Sequence, residues 1–297
     1  MRAAFNVFAP YRDVPKVTIF GSARTRPDDP LYRQTVDVAR RLAATGWMVV
    51  TGAGPGIMEA GMEGAGRDRA LGVLIRLPFE GGANPVIAGD DKLVSMKYFF
   101  TRKLMLMKES SAFVAMPGGF GTIDETFELL TLAQTGKAEP APIVLLDVPG
   151  GTYWDGLQRF LDEQVLAVGM ISPPDAALYL MTDEVGTAVE EIGRFYGNYH
   201  SLRYVGDLLV LRLRAAPTDG ELASLNRDFG DILVGGRIRT TKPLPPERND
   251  HPELPRLALR FDARSHGRLR QLLDRLNRLS SAPQPGAKPP TVAESPS

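Results

Sequence analysis

The stretch of residues 112–134 constrains the fold of this chain more than any other. It begins with an uncharged apolar run, AFVAM, which is typical of a strand that is buried on both faces of a sheet. The chain then turns through PGGFG at 117–121, and apolar residues recur at helical spacing from Ile123 onward. A glycine-rich turn from a strand into a helix presents free backbone N–H groups at the positive end of the helix dipole, and this geometry binds phosphate.

A structural explanation of the same turn stays open. Thr122 can serve as the N-cap of the helix, with Glu125 reaching back to its amide, as in a capping box. A capping box accounts for both residues without a ligand. It does not account for three glycines within four positions, namely Gly118, Gly119 and Gly121. Phosphate binding by these glycines and Thr122 is therefore the favoured interpretation.

Predicted strands and helices alternate over residues 16–198. The strands are short apolar runs, and the helices carry their apolar residues on one side. The predicted strands cover 16–23, 47–51, 71–77, 92–96, 112–116, 142–148 and 177–181, and the other predicted helices cover 30–46, 57–69, 98–110, 153–168 and 184–196. This alternation predicts an α/β fold, a Rossmann-like doubly wound parallel sheet with right-handed crossovers.

A second glycine-rich turn follows the second predicted strand, within TGAGPGIMEA at 51–60. The carboxyl ends of parallel strands lie at one edge of the sheet, so this turn and the one at 117–121 are expected on the same edge, where nucleotides bind. A nicotinamide site is not favoured, because Ile57 stands where the dinucleotide fingerprint requires its third glycine.

Residues around these turns are weaker candidates for contacts to the rest of a nucleotide. They are Ser22, Gly54, Gly56 and Glu59. The polar loop 79–91 is long enough to form a lip over such a site.

The predicted helix 98–110 combines apolar and basic residues. Arg102 and Lys103 lie within a run rich in methionine and phenylalanine. A solvated stripe on the helix is one explanation of the two charges, and capture of a phosphate or carboxylate by arginine is the other. The surplus of methionine and phenylalanine indicates that this helix packs either in the core or at a subunit interface.

The ends of the chain depart from the alternating pattern. Residues 1–15 form an N-terminal extension, and 198–203 are predicted to be a linker. Residues 204–279 predict a small α+β module in the order βαββα, and 280–297, rich in proline, alanine and serine, are predicted to be disordered. The basic face of the last predicted helix is interpreted as solvated surface rather than as a binding site for nucleic acid or an anionic effector.

The composition excludes several classes of protein. Lysine plus arginine equals aspartate plus glutamate at 35 each, so net charge gives no indication of nucleic-acid binding. The absence of cysteine rules out disulfides and thiolate metal sites, and three histidines without helical or turn spacing make a histidine metal site unfavourable. No apolar run is long enough for a membrane span, and the N-terminus is too polar for a secretory signal, so we expect a cytoplasmic location.

The sequence PGGFGTIDE resembles the PGGxGTxxE signature of the Lonely Guy (LOG) family, whose members were long labelled lysine decarboxylases. Thr101-Arg102-Lys103 and the stretch 51–60 match two further landmarks of that family. The resemblance spans about residues 16–198. It implies hydrolysis of the N-glycosidic bond of a nucleoside 5′-monophosphate, AMP or a cytokinin riboside monophosphate, to free base and ribose 5-phosphate.

The resemblance also implies roles for individual residues. Glu125 stands in the catalytic position and Arg102 is the second catalytic residue, with Lys103 beside it as a substrate contact. A carboxylate near C1′ suits this chemistry, because cleavage passes through an oxocarbenium-like ribosyl cation. No metal or redox cofactor is needed, and we expect a homodimer or a higher homo-oligomer.

Two other functions remain as alternatives. A non-catalytic nucleotide or cofactor carrier with a Rossmann-like fold would bind nucleotide without turnover. A lysine decarboxylase would need pyridoxal phosphate on a lysine in a recognisable site, and Lys103 has no such context.

Overall fold

The computed structural model describes residues 2–76, 82–248 and 250–283. In its first two-thirds the strands are β1 (Lys16–Phe20), β2 (Met48–Thr51), β3 (Ala70–Ile75), β4 (Leu93–Met96), β5 (Ala112–Ala115), β6 (Ile143–Leu146) and β7 (Leu180–Thr182). The helices are α1 (Arg2–Phe8), α2 (Pro30–Ala44), α3 (Ile57–Ala65), α4 (Phe99–Lys108), α5 (Phe120–Gln134), α6 (Tyr153–Phe160) and α7 (Val185–Phe195).

The seven strands form one parallel sheet in the order β4-β3-β2-β1-β5-β6-β7. Both faces are covered, because alternate residues of the strands enter different apolar clusters. Val17 and Ile19 pack with α2 and α7, whereas Phe20 and Phe113 pack with α4, α5 and α6. The predicted doubly wound α/β fold is confirmed.

The strand order reverses between β1 and β5. After β1 the chain adds β2, β3 and β4 on one side, and it then crosses to β5 on the other side of β1. Such a reversal leaves a crevice outside the carboxyl ends of the two strands, which is the usual ligand position in open α/β sheets. The turn at 117–121 leaves β5 at this crevice.

The last third of the chain folds as β8 (Tyr199–Val205), β9 (Leu208–Leu213), α8 (Asp219–Asp228), β10 (Leu233–Thr241), β11 (Arg256–Phe261) and α9 (His266–Leu276). The four strands form an antiparallel sheet in the order β10-β11-β9-β8. The module therefore has the order ββαββα. The predicted order βαββα was wrong by one strand, since the residues predicted as a linker at 198–203 lie mostly in β8.

Other predictions need smaller corrections. The N-terminal extension 1–15 contains α1, whose Ala4 and Phe8 are buried, and α6 ends in a π-helical turn at Leu161–Leu166. Parts of three predicted segments lie outside the described residues. They are residue 77 of the third strand, residues 79–81 of the lip and residues 284–297 of the tail. None of the helices in the described ranges is long and apolar enough to cross a membrane.

The module packs tightly against α7. Leu209 and Leu272 of the module belong to the same buried apolar cluster as Val17 of β1. The Asn277 carboxamide oxygen accepts hydrogen bonds from the amides of Asn198 and Tyr199, each at 2.8 Å. Since buried polar groups need such partners, these bonds fix the junction between the two sheets.

Candidate functional site

Three turns meet at the carboxyl edge of the parallel sheet. The Ser22 amide, after β1, donates to the carbonyl of Pro117 after β5 at 3.3 Å, and the Ile57 amide, after β2, donates to the carbonyl of Ser22 at 3.0 Å. Gly56 has a φ of +67°, and a Cβ there would lie 2.4 Å from the Ser22 oxygen. Glycine is therefore required at position 56 for the turns to approach one another.

The helix α5 begins earlier than the sequence predicted. Its N-cap is Gly119, which offers no side-chain hydrogen bond, and Thr122 is already a buried residue of the first turn. The capping-box explanation of Thr122 and Glu125 was therefore wrong. The first intrahelical bond runs from the Ile123 amide to the Gly119 carbonyl at 3.2 Å, so the amides of residues 120–122 have no partner within the helix.

Glycine leaves open space beside the first turn of α5. A Cβ on Gly119 or Gly121 would meet no atom within 4 Å, whereas one on Gly118 would lie 2.2 Å from the Thr122 hydroxyl. Gly118 and Thr122 thus pack against each other within the turn. Gly119 and Gly121 leave room for another molecule beside the positive end of the helix.

Glu125 lies half-buried one turn further along α5. Burial raises the pKa of its carboxyl from 4.5 to about 7, although the positive charges of Arg102 and Lys103 oppose this effect. Desolvation disfavours the ionised form of a carboxyl group. Glu125 is thus an acid whose charge changes near neutral pH, a property that is common among catalytic carboxyls.

Arg102 extends from α4 to the ends of two strands. Its Nε donates to the Val73 carbonyl of β3 at 3.1 Å, and its Nη2 lies 3.5 Å from the Gly52 carbonyl after β2. A Cβ on Gly52 would lie 1.8 Å from the same Nη2. The missing side chain of Gly52 is what allows the guanidinium group to occupy this position.

Lys103 is bound by two carboxylates of α5. Its Nζ lies 2.5 Å from Asp124 Oδ2 and 2.7 Å from Glu128 Oε2. Burial lowers the pKa of Lys103, but the hydrogen bonds to both carboxylates outweigh burial and leave that pKa raised. The side chain joins α4 to α5, and its predicted role as a substrate contact stays a prediction.

A cavity of about 990 Å³ lies between α4 and α5. It extends from Glu125 to the module, where Tyr199, His200 and Ser201 of β8 form part of its wall. Four of the predicted site residues line this cavity, namely Arg102, Lys103, Gly121 and Glu125. The remaining ones, namely Ser22, Gly54, Gly56, Glu59, Gly118, Gly119 and Thr122, are not among its lining residues.

The predicted site residues therefore form two adjoining parts. One part is the crevice between the three turns, and the other is the cavity that contains Glu125. Arg102 connects them, because it lines the cavity and also contacts the carbonyl of Gly52. The residues 82–91 of the predicted lip do not line the cavity; Asn84 of this segment instead donates to the Gly54 carbonyl at 3.0 Å.

Two residues at the site were not predicted from the sequence. Gly52 belongs to the glycine pattern of its turn, but its position against Arg102 depends on a contact 50 residues away. Tyr153, at the start of α6, donates its hydroxyl to the Gly118 carbonyl at 2.7 Å. No local pattern indicates either contact. Within the described residues, no group of three or more His, Cys, Asp or Glu side chains is placed to hold a metal ion.

Comparison with known proteins shows which family the chain resembles. The family model described as "Possible lysine decarboxylase" matches residues 54–192. The chain is 34% identical over 147 residues to the probable cytokinin riboside 5′-monophosphate phosphoribohydrolase LOGL3 of Oryza sativa subsp. japonica, covering 48% of this chain and 66% of the relative. It is 44% identical over 72 residues to the cytokinin riboside 5′-monophosphate phosphoribohydrolase LOG1 of Arabidopsis thaliana, covering 24% of this chain and 32% of that relative. Within this matched region the chain is similar to the LOG family.

The extent of these matches is limited. The chain spans somewhat less than two-thirds of LOGL3 and about a third of LOG1. Among solved structures, the molybdenum cofactor binding protein from Rippkaea orientalis is 18% identical with a TM-score of 0.43, covering 60% of this chain and 94% of that one.

Proposed function

We propose that this protein, like the LOG family that it resembles, hydrolyses the N-glycosidic bond of nucleoside 5′-monophosphates, AMP or a cytokinin riboside monophosphate, to free base and ribose 5-phosphate. The observation that carries the proposal is the position of Glu125. This carboxyl lines a large cavity one helical turn beyond the amides of α5 that have no partner within the helix, and its pKa is raised to about 7. An anion-binding site and a titratable carboxyl are thus held at adjacent points of one helix.

The first step of binding is capture of the phosphate. The amides of residues 120–122 lack intrahelical acceptors, and the open space over Gly119 and Gly121 gives an anion access to them. Hydrogen bonds to a charged group contribute about 1.5–3 kcal/mol each. The 5′-phosphate therefore anchors the substrate and fixes the ribose relative to Glu125.

Cleavage places positive charge on the ribose. The C1′–N bond breaks with its electron pair passing to the base, and a water molecule then adds to C1′ and releases a proton. The ionised Glu125 carboxylate stabilises the cation and accepts the proton of the water. The departing base takes up a proton from solvent, and Glu125 returns its proton to solvent, so that free base and ribose 5-phosphate are formed. Arg102 orients Glu125 through its charge and supports the negative groups of the substrate.

The protein acts as a homodimer in the cytoplasm. Several apolar side chains beside the cavity face solvent: Phe99 is 61%, Phe100 70% and Phe120 97% exposed. Burial of a large aromatic side chain is worth about 1.5–3 kcal/mol, so a second copy that covers this surface would gain stability. Light scattering should give twice the mass of the chain, and a monomeric mass would contradict this part of the proposal.

Release of adenine from AMP is the decisive measurement. We expect turnover by the wild-type protein and a fall in kcat of at least ~100-fold in Glu125→Gln, which keeps the size of the side chain but loses its charge. Glu190→Gln on α7, where the side chain is 74% exposed, is the matched control and should retain full activity. AMP that binds without release of adenine would instead identify a carrier. Normal turnover by Glu125→Gln would remove the proposed role of this carboxyl.

A further inference from the structure

The turn that precedes α5 is held from outside by α6. The Tyr153 hydroxyl donates to the Gly118 carbonyl at 2.7 Å across 35 residues of sequence. Tyr153 is 37% exposed, and its ring packs edge-on against buried Trp154, with 4.7 Å between the ring centroids. The hydroxyl is thus directed at the backbone of the glycine turn, and the ring has a separate packing role.

The position of Tyr153 is itself fixed by a second contact. Asp147, which is only 7% exposed, follows β6 and accepts a hydrogen bond from the Tyr153 amide at 2.9 Å. It also accepts one from the Val148 amide at 2.8 Å. A Cβ on Gly151 would lie 2.4 Å from the Asp147 carboxyl carbon, so the loop before α6 closes directly over this carboxylate. The start of α6 is therefore anchored to the end of β6.

The hydrogen bond from Tyr153 determines the direction of an amide. The Gly118 carbonyl and the Gly119 N–H belong to one peptide group, which is trans because the described chain contains no cis peptide bond. In a trans peptide the two point in opposite directions. Holding the carbonyl on Tyr153 thus directs the Gly119 N–H away from α6. No neighbouring side chain packs within 4 Å of where a Gly119 Cβ would lie. Packing at Gly119 therefore does little to hold this peptide in place.

We propose that Tyr153 is a positioning residue for anion binding, which holds the Gly118–Gly119 peptide so that the turn before α5 is preformed for the substrate phosphate. The proposal rests on the proposed function, since it names the residue that prepares the phosphate site of that reaction. Preforming the turn removes a cost of ordering from the binding step. Tyr153 therefore acts on substrate affinity and has no part in the bond cleavage.

The test compares Tyr153→Phe with Tyr179→Phe. Both variants lose one phenolic hydroxyl that makes one hydrogen bond, and Tyr179 bonds the Gln158 carboxamide away from the glycine turn at 3.0 Å. Calorimetry with ribose 5-phosphate measures the anion site without any turnover, and steady-state kinetics with AMP separates KM from kcat. Melting temperatures of all three proteins report whether the fold is kept.

We expect Tyr153→Phe to weaken ribose 5-phosphate binding and to raise the KM for AMP by about five- to tenfold, as the loss of one neutral hydrogen bond allows. We expect kcat to change less than threefold and Tyr179→Phe to match the wild type. Unchanged affinity and KM in Tyr153→Phe would overturn the proposal, as would a wild-type protein that does not bind ribose 5-phosphate. Weakened binding in a protein that never releases adenine would support the role of Tyr153 and reject the proposed hydrolysis.

Discussion

The turns after β2 and β5 lie on either side of β1 and contain three glycines each, yet their surroundings differ. In the turn after β2, a Cβ on Gly52, Gly54 or Gly56 would lie 1.8, 2.7 or 2.4 Å from the nearest atom. In the turn after β5, only Gly118 is enclosed in this way, and Gly119 and Gly121 face open space.

This difference separates two reasons for glycine at a ligand site. The glycines after β2 are required by packing, because Arg102, Met58 and the Ser22 carbonyl occupy the space that side chains would need. The open glycines after β5 are not required by any neighbour within the described chain. We infer that they keep the amides of α5 accessible to a substrate, as the proposed phosphate site requires.

The largest effect on activity is expected from a change in the turn after β2, whose glycines are enclosed. Gly52→Ala places a methyl group 1.8 Å from the Arg102 Nη2, so the guanidinium group must leave its contacts with Val73 and Gly52. We expect kcat/KM for AMP to fall at least ~100-fold, because misplacing a charged group near the reacting centre has effects of this size. Adenine release measures the loss.

Gly186→Ala is the control for this substitution. Gly186 lies in α7, is exposed, and has open space around it, so its replacement should leave activity unchanged. Near-normal turnover by Gly52→Ala would show that Arg102 does not need this position. The contrast between the two turns would then have no functional meaning.

The two turns also show what sequence can and cannot predict. The parallel sheet followed from buried apolar runs such as AFVAM, each followed by a turn and a helical pattern, and these signals are local. The pattern TIDE is equally local but misleading, because α5 begins at Phe120 and Thr122 is not its N-cap. A cap is defined by where the helix starts, and the sequence did not determine that point.

Contacts between distant residues explain the other failures. β8 was missed because Tyr199-His200-Ser201-Leu202-Arg203 has no clear alternation, and its burial depends on α7 and β9. The raised pKa of Glu125 depends on burial among α4 and α5, to which the sequence of the turn gives no clue. The fold was therefore predictable from local patterns, whereas the different roles of the two glycine turns were not.

A second prediction concerns Glu125, the carboxyl that follows the turn after β5. Burial raises the pKa of Glu125 to about 7, so the ionised, active form increases as pH rises through 7. We expect kcat/KM for AMP, which reports groups of the free enzyme, to rise about tenfold between pH 6 and pH 8. The residual activity of Glu125→Gln should lack this rise, and it controls for titration of the substrate phosphate. A wild-type profile that is flat across this range would mean that Glu125 does not act in its ionised form.

An effect of similar size on activity is expected at Gly121, together with a small gain in stability. Gly121 is the second residue of α5, is exposed, and has no atom within 4 Å of where a Cβ would lie. Alanine is favoured over glycine in a helix by up to about 1 kcal/mol, so Gly121→Ala should raise the melting temperature slightly. The methyl group would also occupy the cavity beside Glu125, so kcat/KM for AMP should fall about tenfold. Calorimetry and adenine release measure the two effects on the same sample, with Gly186→Ala as the control that gains helix propensity alone. A loss of stability would show that Gly121 is enclosed after all, and a stabilised variant with full activity would show that no substrate uses this open space.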